Sequence, residues 1–274
     1  MINILMSWPY LNTSSVKTWE GYQETIRMLV DSGAFSNWKA GVETSVDEYM
    51  AFIKGLPVKP WRYFSLDKIG DPEVTRCNYQ TMLDKGLRPV PVFTRGADIA
   101  DLDKLYDHSD VVGVGVGVGS NNYRGYLKWV VEQNQGRRLH WLGVTAPNLV
   151  GHYRPYSCDA SSWEAGGRYG IVNVYMGGGQ FKRFTRGDAR HKPPTPEMWN
   201  VIRSLGFNPR SLQHEAHWRG GESVSRRVGC GSTVRYALDV ERRYLTKMFL
   251  ATTTSQGLRQ CVGAYRHELG RTDL

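Results

Sequence analysis

The chain has 274 residues, 41% hydrophobic and 12% aromatic, which is enough apolar content to bury a core and argues against disorder. Its four cysteines (Cys77, Cys158, Cys230, Cys261) are widely spaced with no CxxC pair, which points to a reducing compartment rather than a disulfide framework. The N-terminus lacks the charged and apolar regions of a signal peptide, and no apolar run approaches the ~20 residues of a membrane span; the expectation is a soluble cytoplasmic protein with no membrane partner.

Taken in chain order, short apolar runs alternate with helix-like stretches, the pattern of a mainly parallel sheet. The predicted strands are Asn3 to Met6, Arg27 to Asp31, Tyr63 to Asp67, Arg88 to Phe93, Val111 to Val118, Leu139 to Val144, Tyr156 to Asp159 and Ile171 to Tyr175. Between them Asp47 to Lys54, Pro72 to Lys85, Asp98 to Asp107 and Tyr123 to Gln135 read as helices, several opening on Asp or Pro as a first turn prefers. Eight strands in about 175 residues predict an α/β fold, a tight (β/α)8 TIM-type barrel with some short connections; the alternative is an open doubly wound sheet.

After Tyr175 the texture changes to Gly177-Gly178-Gly179, Lys182-Arg183, Arg186 and then Pro193-Pro194-Thr195-Pro196, a loop leading into a helix from Pro196 to Leu205. A longer helix is expected over Ser232 to Leu250, with Val234, Ala237, Leu238, Tyr244, Leu245, Met248 and Phe249 near one stripe. The formal charge of +9 is one-sided: residues 1–180 hold 18 basic and 18 acidic side chains, and residues 181–274 hold 17 and 8. A neutral scaffold followed by an arginine-rich segment suits a polyanion partner, with Arg186, Arg235, Arg242, Arg243 and Lys247 as candidate nucleic-acid contacts; surface charge serving solubility is the plainer explanation. The expected organisation is one domain over 1–274 with this basic segment at 181–274.

Three carboxylates end or follow predicted strands. Asp31 leads into Ser32-Gly33, where backbone amides can approach a ligand, although Asp-Ser-Gly is also an ordinary turn. Asp159 follows Cys158 and precedes Ala160-Ser161-Ser162-Trp163, where it could equally cap a short helix over Ser161 to Ala165. Asp67 closes Tyr63-Phe64-Ser65-Leu66 and could pair with a ligand's N–H groups, with Lys68, or with a helix start. The run Gly113 to Gly119 is not a GxGxxG fingerprint, since position 118 is Val. Glycine at every second position strips one face of side chains, leaving room for a flat ring or for tight packing, so Gly115 and Gly117 are candidate substrate contacts. His214, His217 and Cys230 lack the spacing of a zinc site, and no metal is assigned.

The segments Asp31-Ser32-Gly33-Ala34-Phe35-Ser36 and His140-Trp141-Leu142-Gly143-Val144, the latter followed by Cys158-Asp159, resemble the tRNA-guanine transglycosylase family, whose DSGGFQ-like and HYLMGVG-like motifs occur in that order. The chain looks closest to the compact phage-type branch acting on DNA, the DpdA-type 7-deazaguanine DNA transglycosylases, over roughly residues 27 to 175. That resemblance implies Asp159 as nucleophile at the sugar C1′, Asp31 as general acid/base, and Asp67, Ser32, Gly33, Gly115, Gly117 and His140 at the base pocket. It implies DNA as partner, with an extruded or single-stranded guanosine, and a free 7-deazaguanine such as preQ0 as co-substrate, with no cofactor, in the host cytoplasm if phage-encoded. The family's cysteine-rich zinc pattern and its base-recognition glutamine have no counterpart here. Rival expectations are the same chemistry on tRNA, a catalytically inactive nucleic-acid-binding barrel, and a sugar-directed glycosidase.

Overall fold

A computed structural model describes residues 1–116, 122–191 and 194–270. The strands are β1 (Ile2–Ser7), β2 (Ile26–Asp31), β3 (Arg62–Tyr63), β4 (Val92–Thr94), β5 (Val112–Gly115), β6 (Leu139–Leu142), β7 (Ser157–Ala160), β8 (Ile171–Gly177), β9 (Gln180–Thr185) and β10 (Lys247–Ala251). The helices between them are α1 (Thr13–Glu20), α2 (Ala34–Ala40), α3 (Val46–Gly55), α4 (Pro72–Asp84), α5 (Ile99–Leu105), α6 (Tyr123–Gln133), α7 (Pro147–Tyr153), α8 (Ala165–Tyr169), α9 (Arg186–His191), α10 (Pro196–Ser204), α11 (Val224–Tyr244) and α12 (Ser255–Leu269). Helix starts are written locally: the side chains of Asn12, Ser45, Asp71, Asp98, Asn122, Thr195, Ser223 and Thr254 each accept from a backbone N–H of the first turn.

Eight strands form one parallel sheet in the order β3-β2-β1-β10-β7-β6-β5-β4. The two end strands are drawn together by a parallel bridge from Phe64 to Val90, in which Ser65 N donates to Val90 O (2.9 Å) and Val90 N donates to Tyr63 O (2.8 Å). The sheet is therefore curled, consistent with a (β/α)8 barrel. Leu5, Leu29, Phe64, Val90, Val92, Val111 and Phe249 fill its interior, and a larger cluster that includes Ile4, Met28, Val30, Trp141 and Leu250 packs between sheet and helices.

Two expectations are corrected. Ile171 to Tyr175 does form a strand, but β8 pairs antiparallel with β9 in a separate hairpin. The eighth strand of the main sheet is β10, which the sequence pattern assigns to a helix over Ser232 to Leu250. α11 instead starts at Val224 and stops at Tyr244, where Leu245 turns left-handed (φ 58°) and donates its N–H to Glu241 O. Met248, Phe249 and Leu250 are all buried, as in a strand covered on both faces, and such a continuous apolar run has no period to separate it from a buried helix. The segment between β7 and α11 carries the hairpin, α10 and a satellite core of Val172, Val174, Phe184, Ile202, Leu212 and Trp218.

Candidate active site

All eight main strands run parallel, so their C-terminal ends share one edge, where α/β folds of this kind hold their ligands. The period of two along a strand fixes which side chains face inward there. Leu5 and Leu29 point into the interior, so Ser7 and Asp31, two residues on and paired in register, do the same one layer higher. Asp159 lies in register with interior Phe249. The His140 ring packs on Phe64 (centroids 4.9 Å) and Phe249 (6.0 Å). The sheet thus brings Asp31, His140 and Asp159 to the same side of the same edge.

Asp159 is 7% exposed and held through one oxygen. Its Oδ1 accepts from Gly143 N (3.0 Å) and pairs with His140 Nε2 (3.1 Å); His140 Nδ1 in turn meets Ser157 Oγ (2.8 Å). With the His140 proton on Nε2, the ring donates to Asp159 and accepts from the Ser157 hydroxyl, and both ring nitrogens are satisfied. Oδ2 of Asp159 has no hydrogen bond among the described residues. The left-handed backbone of Gly143 (φ 72°) suits the turn that aims its N–H at the carboxylate.

Asp31 Oδ2 accepts from Gly33 N (3.0 Å). Burial raises its affinity for a proton, the Ser7 hydroxyl and the Gly33 amide oppose that rise, and the nearby Asp159 charge adds to it. The Ser32 hydroxyl, fully buried, donates to Asp67 Oδ1 (2.9 Å). Asp67 is pushed up to about 7, chiefly by burial and then by the charge of Asp31. Tyr49, whose hydroxyl donates to Phe64 O (2.9 Å), is raised well above its ordinary range by burial and by these carboxylates. Neighbouring carboxylates in a poorly solvated mouth cannot all ionise freely, so the Asp31–Asp67 pair retains a proton near neutral pH. Gly33 holds the loop shut behind them: φ is 77°, and a Cβ would lie 2.3 Å from Pro9 Cδ.

The other expected contacts divide. At Gly113 the space that alternation opens is taken by Phe64, whose Cε1 would lie 2.8 Å from a Cβ, whereas at Gly115 nothing would come closer than 3.8 Å. Gly117 lies outside the described residues. The basic candidates do not gather at the carboxylates. Lys247 opens β10 at the opposite edge of the sheet, with its Nζ 4.3 Å from the Tyr156 ring centroid. Arg242 and Arg243 end α11 beside it, both paired with Asp239 (2.7 and 2.9 Å). Arg235 is not a surface contact: its guanidinium is committed to both oxygens of Glu268 (2.8 and 2.7 Å) and to Ser204, tying α11 to α12 and α10. Arg186 is exposed at the start of α9.

Cys230 lies against Cys261 (Sγ–Sγ 3.7 Å), and the His214 and His217 rings are 6.3 Å apart. Sequence reasoning missed a buried ion pair just beyond β7 and β10, in which Glu164 Oε1 accepts from Arg226 (3.0 Å) and Thr252 (3.2 Å) while its other oxygen meets Arg168. Its members come from distant segments, so no local spacing announces it. No helix among the described residues is long and apolar enough to cross a membrane. No family model and no curated protein matches the chain.

Proposed function

We propose that this protein is a DNA guanine transglycosylase of (β/α)8 architecture that exchanges guanine in DNA for a free 7-deazaguanine base of the preQ0 kind. The observation that carries the reading is the pairing at one sheet edge of a carboxylate with one oxygen held and one free, Asp159, with a proton-retaining pair, Asp31 and Asp67. In the first half-reaction Oδ2 of Asp159 attacks C1′, the glycosidic C–N bond breaks, and guanine leaves with a proton supplied by Asp31. The sugar is then held as an aspartyl ester. In the second half-reaction a ring nitrogen of the incoming base attacks C1′, its proton passes to Asp31, and the ester bond opens to return Asp159 as a carboxylate. A carboxylate suits this role because the transition state at C1′ is cationic and the ester remains breakable. Asp67, which accepts from the Ser32 hydroxyl, offers an acceptor to purine N–H groups. The target guanosine must be extruded or single-stranded, at a cost of roughly a few kcal/mol of unstacking.

The test is nucleoside mass spectrometry of DNA and of tRNA, each incubated with the protein and preQ0. Deazaguanosine appearing in DNA with stoichiometric release of guanine supports the proposal. The same product confined to tRNA reassigns the substrate, and no exchange in either, with DNA still bound, leaves an inactive binding barrel.

A further inference from the structure

A second cavity lies away from the carboxylates, in the groove between α11 and α12 below the end of α10. It holds about 520 Å³, within the ~300–1,000 Å³ of small-molecule sites. Its charged groups are unequally committed. Glu268 is bound on both oxygens by Arg235, and Glu222 accepts from Gln256 (2.5 Å). Arg227 and Arg259 also line it, and neither has a carboxylate partner among the described residues. The Arg227 guanidinium lies over the Phe207 ring (5.2 Å to the centroid), which leaves its N–H edge free, and Arg259 makes a single hydrogen bond, to Thr18 Oγ1 (3.2 Å). Gln260 donates to Gly221 O (2.6 Å), which fixes its amide and leaves Oε1 buried without a partner. A cavity with two uncommitted guanidinium groups seeks an anion with several acceptor oxygens. A phosphate ion alone would leave most of this volume unfilled, so the anion carries a larger group, and the spare amide oxygen accepts a donor from it.

We infer that this cavity is a nucleotide site, taking a phosphate group on Arg227 and Arg259 and a sugar hydroxyl or base N–H on Gln260. It goes beyond base exchange and does not depend on it. The shared chemistry is a phosphorylated nucleoside, whether a free nucleotide or one residue of a DNA strand. Gly263 gives the means to block it without touching charge, since a Cβ there would meet nothing within 4 Å.

The experiment measures binding of dGMP, deoxyguanosine, inorganic phosphate and a labelled 12-nucleotide single strand to the intact protein. It compares the parent, Arg227→Gln with Arg259→Gln, and Gly263→Met. The expected result is that dGMP binds more tightly than deoxyguanosine or phosphate, and that both variants weaken it by at least about tenfold, the first by removing charge-assisted hydrogen bonds and the second by filling the cavity. If the strand rather than dGMP responds, with a salt slope reduced by about 0.7 for each arginine replaced, the nucleotide belongs to DNA. The inference is overturned if neither ligand responds to either variant, or if phosphate competes as well as dGMP. Base exchange, followed separately by mass spectrometry, distinguishes failure here from failure of the transglycosylase proposal.

Discussion

Because Oδ1 of Asp159 is already taken by the Gly143 amide and the His140 ring, the proposed chemistry gives His140 the role of positioning the attacking carboxylate. His140→Phe keeps the packing on Phe64 and Phe249 but removes the donor and strands the Ser157 hydroxyl. Stability should fall by about 1–3 kcal/mol. kcat should drop by up to about a hundredfold, the cost of slight misplacement, while KM for DNA holds; an equal change in KM would mark a merely structural role. Asp159→Asn should abolish the covalent protein–DNA species on denaturing gels while leaving DNA affinity intact, and an adduct with that variant would remove Asp159 from the mechanism. Asp67 gives a pH signature. Its folded value near 7 lies above the ordinary 3.8, so between pH ~4 and ~7 the folded state keeps a proton the unfolded chain has released. Stability therefore falls as pH rises through that window and levels off above it. Asp67→Asn keeps an acceptor for Ser32, so it should raise the melting temperature at pH 8 and leave it unchanged at pH 4. Thermal scans at both values check this, and an equal shift at both would mean the site is not strained by charge.

At the scale of elements, the join between α11 and β10 decides whether the sheet gains its eighth strand. Leu245 makes that join in the left-handed region and is 79% exposed, an arrangement that costs a β-carbon residue about 1 kcal/mol and glycine almost nothing. Leu245→Gly should therefore stabilise the protein by roughly 0.5–1 kcal/mol, read as a rise of about 1–4 °C in melting temperature; a loss of stability would show that the leucine side chain stabilises the join despite its exposure. The Asp31 loop behaves oppositely. Gly33 combines positive φ with close approach to Pro9, so Gly33→Ala should cost about 1–3 kcal/mol and slow any chemistry at Asp31, checked by denaturant unfolding beside the exchange assay.

At the scale of the molecule, the excess charge of residues 181–274 is distributed over several elements, with Arg186 on α9, Arg235, Arg242 and Arg243 on α11 and Lys247 on β10. Much of it is already paired: Arg226 with Glu164, Arg235 with Glu268, and Arg242 and Arg243 with Asp239. α11 runs from the sheet's C-terminal edge to its N-terminal edge, which carries Arg242 and the neighbouring Lys247 away from the candidate site. Gln at both positions should leave the dependence of log K on log salt unchanged on a single strand, measured by fluorescence anisotropy. A slope reduced by about 0.7 per residue would place a strand along the far edge instead.

The alternation of strands and helices, the starts of α4, α6 and α10 and the strand ends that carry Asp31 and Asp159 are legible in the sequence, whereas the strand expected over Tyr63 to Asp67 stops at Tyr63 and leaves Asp67 on the loop beyond it. They follow from period, capping side chains and turn residues a few positions apart. Only folding settles that β10 completes the sheet, that β8 leaves it for a hairpin, and that His140 braces Asp159 against Ser157. The same holds for Phe64, which fills the space at Gly113, and for Arg235, which is committed to Glu268. Each of these depends on which segments face one another across the fold. A chain read in one dimension gives charge and period, but not the partner that satisfies a buried polar group or the neighbour that fills a gap.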